Sequence, residues 1–465
     1  MEAVNNFERT LIPDFERQDE IFSSASSIVR DAIMQHAFPA ASIAVTHQGR
    51  LIALKAFGQF VYESDLENTA APPLPRDGGD LKIQPNTLFD LASLTKVVAT
   101  TTMAAILYER GLLVLDAPIL GTIPEFLRDV TGQSDPRRRE VTFRMLLAHS
   151  SGLPAYEKLF LRCRSREELL QAAFTTPLTA GPGTRAEYSD IGFIILAVAL
   201  ERITGESLDT FCQREIFGPL AMTHTAFTPP ADLRPKIPPS ADEREQSRGP
   251  NSCAAGVLAH DNSESRNPSG ADQAGRDRSI FRRRIIQGEV QDENAFVLGG
   301  VAGHAGLFST AEDLARSAHA MLQCGAGASA RDPQSDEPSE HNYDFGQAEA
   351  NPPASGETLR FSAASSHLVL RPETISLFTE RQSSPPNSSR ALGWDTPTEP
   401  SQSGKYFGPR SFGHLGYTGT SLWIDPDRQL SIVLLTNRTW PDCSNQAIKQ
   451  VRPRFHDAVI EALER

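Results

Sequence analysis

The residue pair best suited to chemistry in this sequence is a serine followed three positions later by a lysine, Ser93 and Lys96. The chain has seven lysines, and this is its only Ser-x-x-Lys. A helix that begins near Ser93 places Lys96 one turn further along the same face, where its amine can meet the hydroxyl. Serine is a weak nucleophile without a neighbouring base or cation, and a helix N-terminus favours a developing oxyanion. The pair therefore indicates nucleophilic catalysis; the alternative interpretation is that Ser93 only caps the helix.

Two further groups could assist such a serine. Tyr188-Ser189-Asp190 precedes an apolar stretch typical of a helix, and a tyrosine serves as a general base when nearby cations lower its pKa. The alternative is a core tyrosine beside an aspartate that caps the helix. The glycine-rich stretch 413–420 lets a ligand approach the backbone. A backbone N–H there suits one half of an oxyanion hole, and the alternative is a simple bend.

The elements that must position these groups follow from periodicity and turn signals. Two hairpins are predicted, one near each chain end: Ala41–Thr46 with Leu51–Phe57, and Ser421–Ile424 with Leu430–Leu435. Helices are predicted over residues 15–36, 93–110, 164–174, 190–204, 207–217, from a capping box at Ser309 to about Leu322, and over 444–463. Strands at both ends and helices between them indicate an α+β fold. We expect an antiparallel sheet built from both chain ends and flanked by helices, plus a central, mostly helical domain.

We interpret residues 1–465 as a single catalytic unit with an α/β part, a helical part and insertions. The α/β part covers 15–115 and 290–465, and the helical part covers 116–236. Residues 237–280 and 325–360 are rich in small and polar residues, and they cannot bury enough apolar surface to offset their ordering entropy. We predict that both are mobile insertions, and that the polar stretches 66–80 and 382–404 are loops.

Taken together and in this order, Ser93-x-x-Lys96, Tyr188-x-Asp190 and His414-x-Gly416 resemble the motifs of the class C β-lactamase superfamily. That superfamily includes D-alanyl-D-alanine carboxypeptidases of the penicillin-binding protein 4B type and the family VIII carboxylesterases. Three further stretches are similar to the same family: Leu146–Pro154, Phe217–Thr223 and Gly299–Ser309. The resemblance extends over about residues 20–460 apart from the insertions.

The resemblance implies a role for each matching position. Ser93 attacks the carbonyl and becomes acylated, and Lys96 and Tyr188 share the role of base. The N–H groups of Ser93 and Tyr417 form the oxyanion hole. The residues expected to contact the substrate are Asp190, His414, Leu415 and Gly416. The family uses no cofactor, and no metal is expected. His149 is expected to be structural, and the role of His304 is left open.

Two departures from the family's motifs bear on the chemistry. The tyrosine motif usually ends in Asn, whereas this chain has Asp190, an anion that favours a protonated Lys96. A charged Lys96 stabilises a tyrosinate, so Tyr188 is the favoured base.

The last motif is commonly Lys-Thr-Gly, and here His414 and Leu415 replace its first two residues. An unperturbed histidine is mostly neutral at pH 7.5. We therefore expect small neutral esters to be preferred over anionic penicillins and D-Ala-D-Ala peptides. Activity on these anionic substrates should increase toward pH 6, as His414 becomes charged. Thr418 or an arginine from elsewhere would be the substitute for the missing donor.

Composition sets the remaining expectations. A net charge of −13 makes a nucleic-acid partner improbable, so the expected partner is a small-molecule ester, amide or β-lactam. The chain has no run of 18 apolar residues that would span a membrane. Its five cysteines are scattered singly, and the N-terminus lacks the pattern of a secretory signal. These features predict a cytoplasmic protein, or a periplasmic one if the start is incomplete; the oligomeric state is left open.

The leading functional hypothesis is a serine hydrolase that cleaves small esters through an acyl-enzyme on Ser93. The first alternative is a D-alanyl-D-alanine carboxypeptidase or a class C-type β-lactamase. The remote alternative is a non-catalytic binding module that retains the fold. Other enzyme classes lack support, because the sequence contains no G-x-S-x-G, no H-E-x-x-H and no P-loop.

Overall fold

The computed structural model describes residues 11–66, 81–244, 281–326, 370–441 and 443–464. Its main sheet has six strands in the order β1-β3-β2-β11-β10-β9. These strands are β1 Ile12–Pro13, β2 Ala40–His47, β3 Arg50–Gly58, β9 Phe412–Leu415, β10 Ser421–Asp425 and β11 Leu430–Thr436. Strands from the two ends of the chain join where β2 pairs antiparallel with β11. The predicted fold class, with a sheet built from both chain ends, is confirmed.

One strand departs from the antiparallel prediction. The short edge strand β1 pairs parallel with β3, through Ile12 opposite Arg50 and Pro13 opposite Leu51. A parallel pair needs a crossover connection, and the chain provides it because the first two helices lie between β1 and β2. The sheet is therefore mixed, with antiparallel pairing everywhere except at this edge.

Two layers of helices cover the sheet, and the alternation of side chains along β2 shows how. Ala41, Ile43 and Val45 belong to a core that also contains residues of the second and the last helix, whereas Ala40 and Ala44 belong to a larger core on the opposite face. Successive strand residues point to opposite faces, so a run of apolar residues is buried on both sides. The larger core continues into the central helices.

The helices agree with most of the predicted spans. They are α1 Gln18–Ile21, α2 Ser23–Met34, α3 Glu63–Leu66, α4 Thr102–Glu109, α5 Phe143–Leu147, α6 Arg166–Phe174, α7 Asp190–Thr204, α8 Leu208–Cys212, α9 Glu293–Val297, α10 Ala311–Ala326, α11 Pro372–Thr379 and α12 Ile448–Leu463. Two π-helical stretches, Lys96–Thr101 and Gln213–Phe217, are continuous with α4 and α8. The predicted helix 15–36 is interrupted at Phe22, which lies between α1 and α2.

The cap of α10 differs from the prediction by one residue. The hydroxyl of Thr310 accepts the backbone N–H of Asp313 at 3.2 Å, so Thr310 caps the helix. Ser309 ends a strand instead, and its hydroxyl lies 2.7 Å from that of Thr225. Both residues suit an N-cap chemically, and sheet pairing decides between them.

A small three-stranded sheet connects the helical region to the nucleophile. It consists of β4 Phe89–Asp90, β5 Ala226–Phe227 and β8 Leu307–Ser309, with β8 in the middle. Because β4 ends three residues before Ser93, this sheet fixes the position of the turn that carries Ser93. The division into an α/β and a helical part stays a prediction.

Most of the two predicted insertions, 237–280 and 325–360, and of the predicted loop 66–80 lies outside the described residues, because the ranges 67–80, 245–280 and 327–369 are not described. On either side of the second of these, β6 Ala241–Asp242 pairs antiparallel with β7 Ile285–Ile286. The polar stretch 382–404 is described, and it contains no helix or long strand, as predicted. Within the described residues, no helix is both long and apolar enough to cross a membrane.

Candidate active site

The turn that leads from β4 through Ala92 to Ser93, called the nucleophile turn below, places Ser93 at the surface of a cleft. Ala92 has a positive φ of 47°, a conformation that is uncommon for a residue other than glycine. Its N–H donates to the buried carboxylate of Asp90 at 2.8 Å, and the other oxygen of Asp90 accepts the N–H of Gln291 at 2.7 Å. Burial raises the pKa of Asp90 to about 6. Asp90 thus holds the strained turn from behind, and Ser93 is only partly buried.

Lys96 is fully buried, and its three N–H donors all have acceptors. Its Nζ donates to Ser93 Oγ at 3.0 Å, to Asp190 Oδ1 at 2.6 Å and to the carbonyl of His304 at 3.0 Å. An ammonium group has three donors, so the amine has a single satisfied orientation. The predicted contact between Lys96 and the serine hydroxyl is therefore present, and Asp190 lies beside the amine.

The electrostatics of this cluster support one part of the sequence argument and correct another. Burial opposes the charge on Lys96, but Asp190 and Tyr188 outweigh it and raise the pKa of Lys96. For Tyr188, burial raises the pKa, and the opposing effect of Lys96 is smaller. The pKa of Tyr188 is thus raised, not lowered as a resting tyrosinate would require. In the resting cleft both groups are protonated at neutral pH.

Aromatic and cationic groups surround the ring of Tyr188. The ring of His149 lies 4.6 Å from it, Lys96 Nζ lies 4.8 Å from its centroid, and the guanidinium carbon of Arg390 lies 5.2 Å from its centroid. His149 Nδ1 accepts the N–H of Ser189 at 3.0 Å, and burial lowers the pKa of His149 well below its usual value. His149 therefore supports the Tyr188 segment, in line with the structural role expected for it.

Ser189, and not Asp190, caps α7. The Ser189 hydroxyl accepts the N–H of Gly192 at 3.0 Å and donates to the carbonyl of Pro154 at 2.7 Å. The carboxylate of Asp190 is consequently available to pair with Lys96. The sequence alternative in which the aspartate caps the helix is wrong, because the preceding serine occupies that position.

His414 remains neutral in this cleft. Its Nδ1 lies 2.8 Å from the carbonyl of Leu415, so Nδ1 carries the proton and Nε2 is a bare acceptor with no partner among the described residues. Burial lowers the pKa of His414 to about 3, and the charges of Lys96 and Arg390 add to this effect. The expectation that His414 becomes charged near pH 6 is wrong, because it assumed an exposed ring.

The loop after β9, residues 416–420, is attached to the nucleophile turn. The hydroxyl of Thr418 donates to the carbonyl of Asp90 at 2.7 Å, and that of Thr420 donates to the carbonyl of Leu91 at 3.0 Å. Gly416 must lack a side chain, because a Cβ there would lie 2.5 Å from the Leu91 carbonyl oxygen. Tyr417 and Leu415 line the cleft opposite Ser93. The two predicted donors of the oxyanion hole, the N–H groups of Ser93 and Tyr417, thus belong to one hydrogen-bonded unit.

A second polar pair lines the cleft beside Lys96. His304 Nε2 lies 2.9 Å from Asp292 Oδ1, and His304 Nδ1 has no partner within the described residues. Burial acts to raise the pKa of Asp292, but His304 outweighs it and the pKa is lowered. Nδ1 can therefore accept a hydrogen bond from a bound molecule or donate one to it, according to which ring nitrogen carries the proton. His304, whose role the sequence left open, is therefore a cleft residue.

Sequence reasoning missed two charged residues of the cleft, Arg390 and Asp395. Both are buried and line it, with Arg390 Nη1 3.7 Å from Asp395 Oδ2. They lie in the stretch 382–404, which was predicted only as a loop. The signal was the apolar block Ala391–Trp394, which stands out in a polar segment. The cleft encloses about 650 Å³, including space open to solvent.

A serine, a buried lysine and a tyrosine that meet in a cleft of this α+β fold define the class of protein, a serine hydrolase. The Beta-lactamase family matches the chain over residues 25–451, so the chain belongs to that family. Its sequence relatives and structural neighbours carry several different activities.

Two curated relatives cover most of the chain. An N-acetylmuramyl-L-alanine amidase of Bacillus subtilis is 28% identical over 86% of this chain and 77% of its own length. A putative D-alanyl-D-alanine carboxypeptidase of Escherichia coli K12 is 30% identical over 78% of this chain and 73% of its own length.

Among solved structures, EstCE1, a hydrolase with promiscuous acyltransferase activity, has a TM-score of 0.60 at 17% identity, with 95% of this chain and 99% of that chain covered. A class C β-lactamase from Rhodobacter sphaeroides has a TM-score of 0.57 at 18% identity, with 95% and 100% covered.

Proposed function

We propose that the protein hydrolyses small acyl compounds through a covalent acyl-enzyme on Ser93. The observation that carries this proposal is the 3.0 Å contact between Lys96 Nζ and Ser93 Oγ, made by an amine that Asp190 anchors from the other side at 2.6 Å. A nucleophile needs a neighbouring group that manages its proton, and this amine is fixed in a single satisfied orientation.

The reaction steps balance with the groups present. Ser93 Oγ attacks the carbonyl carbon, and its proton passes to the deprotonated form of the Tyr188–Lys96 pair. The carbonyl electrons move to the oxygen, which the N–H groups of Ser93 and Tyr417 stabilise. When the intermediate collapses, the bond to the leaving group breaks and the leaving group takes the proton. Water then attacks the acyl carbon, and the same pair takes its proton. The bond to Ser93 Oγ breaks, the proton passes to Ser93 Oγ, and the acid leaves.

The raised pKa values of Lys96 and Tyr188 determine how the rate of this mechanism depends on pH. The base must have lost a proton, and a raised pKa makes that form a minority at neutral pH. The fraction of active enzyme therefore grows as the pH rises through the neutral range. His414 does not increase the activity toward pH 6, because its ring stays neutral at that pH.

Arg390 favours a substrate that carries a carboxylate. The sequence argument for neutral esters relied on the missing Lys and Thr of the strand motif, and Arg390 supplies a buried cation at the same cleft. Guanidinium and carboxylate groups pair strongly. We therefore infer that an amide or peptide with a free carboxylate is the preferred substrate class. The two curated relatives, one named an amidase and one a putative carboxypeptidase, support this choice.

Small neutral esters remain the second candidate, because two features favour them. His414 is neutral and Leu415 offers the cleft an apolar side chain in place of a hydroxyl. Asp395 also lies close enough to Arg390 to offset part of its charge. An ester without a carboxylate would use the same acyl-enzyme chemistry.

Matched substrate pairs test the proposal. We would measure kcat/KM for N-acyl dipeptides with a free C-terminal carboxylate and for the same compounds as C-terminal amides, beside p-nitrophenyl esters and nitrocefin. We expect the free acids to exceed their amides by at least about tenfold, since a hydrogen bond to a charged group contributes about 1.5–3 kcal/mol. Equal rates within each pair, with faster ester cleavage, would favour the second candidate. Failure of both a fluorophosphonate and a fluorescent penicillin to label the protein would indicate a binding module instead.

A further inference from the structure

Two buried arginines lie behind the loop 416–420, on the side away from the cleft. Arg452 of α12 is 1% exposed, and its Nη2 donates to the carbonyls of Gly416 at 2.7 Å and Thr420 at 2.9 Å. Arg438, equally buried, donates from Nε to the carbonyl of Tyr417 at 2.8 Å, and its guanidinium stacks 4.6 Å from the Tyr417 ring. In the part of the chain that the structure describes, neither guanidinium forms an ion pair with a carboxylate.

A buried cation of this kind is expensive for stability. Moving a charge out of water has a large free-energy cost, which is offset only by excellent pairing. The same face of α12 carries the buried apolar residues Ile448, Phe455 and Val459, so an apolar side chain would suit the helix at position 452. Arg452 therefore calls for an explanation beyond the packing of α12.

The geometry of one peptide unit supplies that explanation. The carbonyl of Gly416 and the N–H of Tyr417 belong to the same planar trans peptide, in which the two groups point in opposite directions. Arg452 holds the carbonyl on the α12 side, and Gly419 N–H also donates to it at 3.1 Å. The N–H of Tyr417 must then point to the other side, where Tyr417 lines the cleft with Ser93.

We propose that Arg452 is a positioning residue of the oxyanion hole: by binding the Gly416 carbonyl, it aims the Tyr417 N–H at the carbonyl oxygen of the substrate. This inference rests on the proposed acyl-enzyme function. The guanidinium also polarises the peptide it binds, which strengthens the N–H as a donor. The Thr420 carbonyl that Arg452 binds also accepts the Gly416 N–H at 2.8 Å, so Arg452 supports the closure of the loop whose threonines bind the nucleophile turn.

Arg452 stays charged while it acts. Burial, together with the neighbouring Arg438, lowers the pKa of Arg452 to about 9, which leaves it protonated at neutral pH. The other titratable group that α12 places beside it is His456, whose Nε2 lies 3.1 Å from the Ser421 hydroxyl. Burial lowers the pKa of His456 to about 3, so it is neutral.

The test uses Arg452→Gln and Arg452→Lys in the full chain. We would measure kcat and KM on a p-nitrophenyl ester, the inhibition constant of a boronic acid that mimics the tetrahedral intermediate, and the rate of fluorophosphonate labelling. We expect Arg452→Gln to lower kcat by about 10²-fold, the typical effect of losing one oxyanion donor. KM should stay unchanged, and boronate affinity and labelling rate should fall in parallel with kcat. Arg452→Lys, which keeps a charged donor, should recover part of each loss and serves if the Gln variant fails to fold.

Arg138 provides a matched control in the helical region. It is also fully buried, and its acceptors among the described residues are all carbonyls, including those of Phe126 at 3.0 Å and Phe174 at 2.8 Å. Arg138→Lys should lower the Tm as Arg452→Lys does, but leave kcat and boronate affinity unchanged. A folded Arg452 variant with wild-type kcat, or an equal loss of kcat in Arg138→Lys, would overturn the inference. If the wild type itself is not labelled at Ser93, the proposed function fails instead, so the two failures are distinguishable.

Discussion

Two of the buried cations around the cleft, Lys96 and Arg452, differ in what they bind. Lys96, on the nucleophile side, is paired with the carboxylate of Asp190 at 2.6 Å. Within the described residues, Arg452, behind the strand side, binds the carbonyls of Gly416 and Thr420 and no carboxylate. A carboxylate partner sets the proton affinity of a cation, whereas carbonyl partners have no charge to do so. The nucleophile side is therefore built to move protons, and the strand side is built to hold backbone in place.

The largest expected effect comes from removing the nucleophile. Ser93→Ala should lower kcat by about 10⁴-fold or more and abolish fluorophosphonate labelling, because it removes the hydroxyl that Lys96 Nζ contacts at 3.0 Å and that lines the cleft. The measurement is ester hydrolysis beside labelling followed by mass spectrometry. The thermal transition should remain close to that of the wild type, which confirms folding. Wild-type-like turnover by this variant would show that Ser93 is not the nucleophile, and the contrast between the two sides of the cleft would then fail.

The next effect concerns Arg390, a third cation that faces the bound molecule. Arg390→Leu should lower kcat/KM for carboxylate-bearing substrates about ten- to a hundredfold, since the lost bond contributes about 1.5–3 kcal/mol. Neutral esters should be unaffected. Arg381→Leu is the matched control, because Arg381 binds Thr396 and the carbonyl of Pro397 in the same segment without lining the cleft. An equal loss on both substrate classes would show that Arg390 only supports the loop.

Asp190→Asn sharpens the contrast on the nucleophile side. Asp190 raises the pKa of both Lys96 and Tyr188, so its neutral replacement should lower both. The base must be deprotonated, and the rising limb of kcat/KM should therefore move to lower pH. We would measure kcat/KM on a neutral ester between about pH 6 and pH 9. Asp292→Asn, a change of a second cleft carboxylate that Lys96 does not bind directly, should move the limb less. An unmoved limb in Asp190→Asn would show that neither pKa controls the rate.

The smallest effect is expected from shortening a segment that lies outside the described residues. Replacing residues 245–280 by a flexible linker of about half their length should change the free energy of unfolding by less than about 1 kcal/mol, because loop closure costs about 0.6 kcal/mol per doubling of length. The flanks are already joined by the pairing of Ala241 with Ile286 and by an ion pair between Arg282 and Glu243 at 2.6 Å. Urea denaturation measures the change. Loss of folding would show that the segment packs against the body, and a changed substrate range alone would place it at the cleft.

Local rules were enough for much of the fold and for the core of the candidate site. The contact of Lys96 with Ser93 depends on residues three apart at a helix start, which sequence spacing predicts. The hairpin Ser421–Ile424 with Leu430–Leu435 depends on alternation and a turn, and it is present within β10 and β11. The position of Asp190 beside Lys96 came from the family resemblance, because the two residues are 94 positions apart.

What sequence reasoning missed depends on burial and on distant partners. Arg452 lies at the spacing of Ile448 and Phe455, so an arginine in an apolar stripe was visible, but its carbonyl partners were not. The neutral state of His414 follows from a buried environment made by several elements, which a reference pKa does not capture. Arg390 was missed because a polar stretch without a motif was taken for a plain loop.

The threonine bonds between the loop 416–420 and the nucleophile turn have a consequence for synthesis. Thr418 and the Asp90 carbonyl that it binds are 328 positions apart, and Thr420 and Leu91 are 329 apart. A nascent chain thus exposes Ser93 long before the ribosome has made the strand that faces it. Contacts so distant along the chain form slowly, and strands at the end of the chain are last to join the sheet. Hydrolytic activity therefore requires residues 416–420 as well as the turn that carries Ser93, so a nascent chain that stops before residue 416 is expected to lack this activity.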